Sequence, residues 1–168
     1  RVSMVCAKPG HPTGLGIASS NWLMPVGSAA GERLGATLAL GGDVDGNGAK
    51  DVAIGYGGGC AGFSFGGISI VDYSGAFVFG ACPTEASGLG ASFLSLGDAN
   101  GEVGDELAIG APFFGGNGAV ITIGRPVGAP VGVQALARFD APPGVDRFGQ
   151  ALSQRRLDGP GTMFEGVA

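Results

Sequence analysis

Apolar residues along the chain come in short bursts, and the bursts alternate with glycine and acidic punctuation. Segments such as Gly67-Ile68-Ser69-Ile70-Val71 and Gly118-Ala119-Val120-Ile121-Thr122-Ile123-Gly124 are rich in β-branched residues and bounded by Gly, Asn, Asp or Pro. That is the signature of strands closed by turns. No stretch of twelve or more residues carries a 3.6-residue period, so the pattern predicts an all-β chain with almost no helix. Asp72-Tyr73-Ser74-Gly75 reads as a hairpin turn between strands over Ile68–Val71 and Ala76–Phe79.

The bursts repeat. Leu34-Gly35-Ala36-Thr37-Leu38 matches Leu89-Gly90-Ala91-Ser92-Phe93, a pitch of 55 residues from Gly35 to Gly90. Eight residues after each of these glycines comes an acidic loop: Asp43-Val44-Asp45-Gly46-Asn47-Gly48-Ala49-Lys50-Asp51, then Asp98-Ala99-Asn100-Gly101-Glu102-Val103-Gly104-Asp105-Glu106. Ala53-Ile54-Gly55 and Ala108-Ile109-Gly110 follow at the same offset, and a Gly-rich turn and an alternating strand come next. A third copy opens at Arg147-Phe148-Gly149-Gln150-Ala151-Leu152, but its loop, Asp158-Gly159-Pro160-Gly161-Thr162, keeps only the opening acid. At the front, Val2–Cys6, Gly16–Ser20 and Trp22–Val26 read as the later strands of another unit. The organisation expected is therefore two whole four-stranded units, 32–87 and 88–146, between a second half at 1–31 and a first half at 147–168. Repeated four-stranded units of this length describe β-propeller blades.

Composition narrows the picture. Glycine supplies 36 of 168 residues with no Gly-X-Y period, which excludes collagen. Apolar content of 45% against 14% charged argues for a chain that buries much of itself and against disorder. The formal net charge is −5, and Asp43, Asp45, Asp51, Asp98, Glu102, Asp105 and Glu106 provide half of the 14 acids, so the acidity sits in the two loops. The nine Lys and Arg are scattered, and only Arg155 and Arg156 adjoin, which speaks against nucleic acid as a partner. No apolar run approaches the ~18 residues of a membrane helix. The chain opens at Arg1 and reads as a processed or excised piece. The three cysteines form no CxxC, and a disulfide between Cys60 and Cys82, which flank the hairpin, competes with reduced buried thiols.

In both loops oxygen-bearing side chains recur at every second position. That is how a tight loop wraps a hard cation such as Ca²⁺, which takes six to eight oxygens at about 2.3–2.6 Å. The alternative is an Asx-rich turn without metal. An EF-hand is excluded because its twelfth position needs a bidentate Glu; here that position is Ile54 or Ile109, and no helices flank the loops. Other chemistry is thin. His11 with Ser19 or Ser20 makes no catalytic constellation, and Gly14-Leu15-Gly16 and Gly57-Gly58-Gly59 are too short to cradle phosphate. Trp22, Phe63, Phe65, Phe113 and Phe114 are expected to pack between units, with a role as binding aromatics the alternative.

Taken together, Phe/Leu-Gly, then Gly-Asp-x-Asp/Asn-Gly, then Asp/Glu-Val/Leu-Ala-Ile-Gly resembles the FG-GAP repeat of integrin α-subunit propellers. Gly110-Ala111-Pro112 and Phe148-Gly149 are the literal "GAP" and "FG", whereas the first unit has Gly55-Tyr56-Gly57 and the first two units use Leu-Gly. The resemblance implies a ring of seven blades, which needs about 400 residues at this pitch; a partial β-propeller is therefore expected. It also implies a ligand set at loop positions 1, 3, 5, 7 and 9. The first loop then offers Asp43, Asp45, Asn47, the carbonyl of Ala49 and Asp51. The second offers Asp98, Asn100, Glu102, the carbonyl of Gly104 and Glu106, with Asp105 competing for the last place. The expected function is a non-enzymatic, calcium-stabilised extracellular module for protein binding, adhesion or scaffolding, partnered by another protein or by the rest of the propeller. The alternatives are an accessory propeller of a secreted hydrolase or lyase, and a propeller that binds glycans.

Overall fold

The computed structural model describes residues 30–58, 66–72, 76–83, 87–129, 132–156 and 162–166. It is all-β, with ten strands and a single 3-10 turn at Phe114–Gly116 among the described residues. Strands β1 (Leu34–Gly42), β2 (Asp51–Tyr56), β3 (Ile68–Val71) and β4 (Phe77–Ala81) form one antiparallel sheet in chain order. Strands β5 (Ser92–Gly97), β6 (Glu106–Ala111), β7 (Ala119–Gly124) and β8 (Gln134–Asp140) form a second with the same order. Strands β9 (Leu152–Arg156) and β10 (Thr162–Gly166) pair antiparallel. The two four-stranded meanders, and the lack of α-helix among the described residues, agree with the strand pattern read from the sequence. The fourth strand of the first sheet starts one residue later than the sequence suggests and runs on to Ala81. The expected front-end strands and the core aromatics Trp22, Phe63 and Phe65 lie outside the described residues, as do His11, Ser19, Ser20 and Gly14–Gly16.

Registers repeat with the 55-residue pitch. Leu38 pairs with Ile54 in the first sheet, and Phe93 with Ile109 in the second. One tight turn opens all three copies: Ala36 N–H donates to Arg33 O at 3.0 Å, Ala91 N–H to Gly88 O at 3.1 Å, and Gln150 N–H to Arg147 O at 3.0 Å. The dipeptides Leu89-Gly90 and Phe148-Gly149 then make the same contact with the preceding sheet. Leu89 bridges Gly66 and Phe148 bridges Gly118, both in parallel. The hydroxyl of Thr37 donates to the carbonyl of Gly90, and that of Ser92 donates to the carbonyl of Gly149 at 2.8 Å. These crossings need bare backbone on the second strand. A Cβ on Gly55 would strike Thr37 and Gly90, and one on Gly110 would strike Ser92 and Gly149. The Gly of Ala-Ile-Gly is thus set by the approach of the next unit.

The core lies between the two sheets. Ala53, Ile68 and Ile70 of the first pack with Leu107, Ile109 and Ile123 of the second, closed by Val44 and Leu89. Alternation along the strands selects which side chains meet. Ala53, Ile70 and Phe79 share a row on one face of the first sheet. On the second sheet the rows through Ile109 and Leu107 face inward, and these are the equivalents of the rows through Leu38 and Leu40 in the first. In the first sheet that face is not fully covered: Leu38 is 54% exposed, Leu40 67% and Phe77 69%.

Candidate metal centre

The first loop hangs between β1 and β2, and its carboxylates converge. One oxygen each of Asp43, Asp45 and Asp51 lie within 4.8 Å of one another. The loop is shaped by Asx hydrogen bonds, which let short polar side chains replace a strand ladder. Asn47 N–H donates to Asp43 Oδ1 at 2.9 Å and to Asp45 Oδ1 at 3.0 Å, and Gly48 N–H donates to Asp43 Oδ2 at 2.8 Å. Asn47 Nδ2 donates to Asp45 Oδ2 at 3.0 Å, while Asn47 Oδ1 accepts the Ala49 N–H at 2.8 Å. Asn47 and Ala49 therefore stand at the loop's outer side, Asn47 exposed and Ala49 half-buried.

Asp51 is different. It opens β2, is fully buried, and accepts the Val44 N–H through Oδ2 at 2.7 Å. Its Oδ1 is buried and has no hydrogen-bond partner. Burial pushes the carboxyl up to about 6, and the charges of Asp45 and Asp43 add to that, against the amides of Val44 and Asp45, which pull it down. A buried carboxylate oxygen without a partner costs free energy unless something positive meets it. An all-oxygen donor set with three carboxylates suits a hard divalent cation. The orphaned Asp51 oxygen is therefore what fits these residues to the ion expected from the sequence. Asp43, Asp45 and Asp51 would hold it, with the Asn47 side chain and the Ala49 carbonyl close by in the chain.

The second loop, between β5 and β6, is built on the same plan but does not gather its acids; among the described residues the first loop has the one such acidic triad. Glu106 is nearly buried, 3% exposed, and its Oε2 accepts Ala99 N–H at 2.7 Å and Asn100 N–H at 3.2 Å. This repeats the Asp51–Val44 contact with one more methylene. Glu102 reaches the other way, accepting Gly128 N–H at 3.1 Å from the turn after β7. Asn100 Nδ2 donates to Arg125 O at 2.8 Å, and its Oδ1 accepts Glu102 N–H at 2.8 Å. Asp98 is exposed and accepts Gly101 N–H at 2.7 Å. Gly104 lies against the first loop, where a Cβ on it would be 3.1 Å from Asp43 O. The longer Glu102 side chain reaches a distant amide at Gly128 instead of turning in, whereas Glu106 closes its own loop as Asp51 does.

Sequence reasoning placed Asp105 as a rival ligand of the second loop. The structure gives it to the first, where its Oδ2 accepts Asp43 N–H at 2.9 Å. Arg125 was not singled out by the sequence. Its guanidinium donates to Val103 O at 3.2 Å and to Ala129 O at 3.3 Å, tying the second loop to the turn after β7. A lone Arg after a strand carries no pattern that would flag this. Gly57 and Gly58 do not cradle a ligand: their N–H groups donate to Arg33 O at 3.3 Å and Glu32 O at 3.0 Å. Phe114 packs against the core as expected, whereas Phe113 is half exposed, with Arg147 5.7 Å above its ring.

Cys82 is disulfide-bonded, and Cys6 and Cys60 lie outside the described residues. No helix among the described residues is long and apolar enough to cross a membrane. No protein-family model matches the chain, and no curated protein matches it either.

Proposed function

We propose that the chain is a calcium-stabilised, non-enzymatic module of integrin-α-like propeller type, part of a larger ring or assembly, that works outside the cell in protein binding, adhesion or scaffolding. The observation that carries the calcium reading is the buried, partnerless Oδ1 of Asp51 beside Asp43 and Asp45. Carboxylates this close repel, and a divalent cation converts the repulsion into attraction. Binding energy then becomes folding energy for the loop and for the sheet it begins.

The propeller reading is supported by three copies of one turn and by two sheets that stack with the same strands in the same roles. The exposed Leu38, Leu40 and Phe77 support a partner on that face, either a further blade of the ring or another protein. The disulfide at Cys82 supports an oxidising, extracellular setting. The second loop is assigned no ion, since among the described residues only the acids of the first loop converge.

The test is a melt of the chain after EDTA treatment, with and without millimolar CaCl₂. A rise in melting temperature that saturates with calcium supports the reading. An unchanged melt overturns it.

A further inference from the structure

The main chain of Asp43 is held from the other sheet. Its N–H donates to Asp105 Oδ2 at 2.9 Å, and its carbonyl accepts Asp105 N–H at 2.6 Å, across 62 residues of sequence. The approach depends on Gly42, which is buried with φ +83° and where any Cβ would strike the Asp105 carboxylate. Among the described residues the clasp is made by this pair of loops alone. The first-loop counterpart of Asp105 is Lys50, which is exposed, and Gly97, the second-loop counterpart of Gly42, has nothing within 4 Å of where a Cβ would be.

What is clasped is the first residue of the acidic triad. Both carboxylate oxygens of Asp43 accept loop amides, from Asn47 and Gly48, so the side chain is tied to the loop backbone as its main chain is tied to Asp105. The Asp43 carboxylate is one of the three whose oxygens lie within 4.8 Å of one another, in the same cluster as the partnerless Oδ1 of Asp51.

We infer that Asp105 is a positioning residue for the cation of the first loop, so that occupancy of the loop and seating of the second sheet are coupled through one pair of hydrogen bonds. The inference rests on the calcium reading above. Asp105 acts through Asp43, and coupling of this kind is reciprocal: whatever fixes Asp43 tightens the clasp, and the clasp tightens ion binding by the same factor.

The experiment is a calcium titration of the EDTA-stripped chain and of D105A, D105N and D51N, with hydrogen exchange of the Asp105 amide followed in the wild type and in D51N. D105A is expected to bind calcium about tenfold more weakly, the scale of one charge-assisted hydrogen bond. D105N keeps an oxygen that accepts the Asp43 N–H, and should stay within about threefold of wild type by the same scale. Calcium should slow exchange of the Asp105 amide in the wild type and leave it unchanged in D51N. If D105A does not fold, the exchange measurement on the wild type decides. Wild-type affinity in D105A, equal weakening in D105A and D105N, or an Asp105 amide blind to calcium overturns the coupling and leaves the calcium site standing. No calcium binding by the wild type overturns both.

Discussion

Asp51 holds the Val44 N–H with one carboxylate oxygen, at 2.7 Å, and buries the other with no partner. One side chain thus closes the loop's backbone and belongs to the cluster in which carboxylate oxygens of Asp43, Asp45 and Asp51 converge. D51N separates these jobs. The amide oxygen can still accept from Val44, and the buried charge is gone. Without calcium the variant should melt at or above the wild-type temperature. With calcium it should gain nothing, whereas the wild type gains about 2.7 kcal/mol at a hundredfold excess over Kd. Thermal melts of the two proteins, stripped and loaded, check both signs.

The raised Asp51 carboxyl makes the stripped protein pH-sensitive. Its folded value of about 6 lies above the ordinary 3.8, so the folded state binds the extra proton. Stability from this group is full below pH 3.8 and is lost as pH rises through 6. The loss is roughly 3 kcal/mol, because each tenfold difference in proton affinity between the folded and unfolded chain corresponds to about 1.4 kcal/mol. Calcium competes with that proton. Loaded protein should therefore lack this decline, and calcium affinity should fall as pH drops below 6. Denaturant melts at about pH 5 and about pH 7.5, either side of the folded value, with and without calcium, would show it.

Gly110→Ala should be among the most damaging single substitutions in the chain, because its Cβ meets backbone of the next unit at Gly149 and the Ser92 hydroxyl. The cost expected is about 1–3 kcal/mol or more, as for overpacking against atoms that cannot move aside. Gly128→Ala, at a position with open space, carries only the strain of its positive φ and should cost less. Urea midpoints of the two variants order them.

Ser92→Ala removes the bond to Gly149 O at 2.8 Å without adding bulk. Its cost should be about 0.5–1.5 kcal/mol. Ser92→Thr, which copies Thr37 of the first unit, should retain most of the stability. Equal loss in both variants would mean that the hydroxyl crossing contributes nothing to the stacking of units.

Much of this architecture was legible because glycine and aspartate mark every turn and the apolar bursts repeat at one pitch. Ile68–Val71 and the strand ending at Gly124 fall where the alternation puts them. The Asx loops were legible for the same reason, since Asp and Asn two residues apart shape their own backbone. What escaped was set by reach and by distant partners. Nothing local tells that Glu102 spans to Gly128, or that Asp105 serves Asp43 across the interface. Nor does the apolar character of Leu38 reveal that it stays exposed while its counterpart Phe93 packs against the core. That depends on what stacks next to each sheet, and the alternation is the same in both.

An ion at the first loop is the central claim, and a crystal grown with calcium reads it directly. The anomalous difference map is expected to show one peak about 2.3–2.6 Å from oxygens of Asp43, Asp45 and Asp51, and to lose it in D51N. A map from calcium-saturated crystals with no peak between these three carboxylates would contradict the claim.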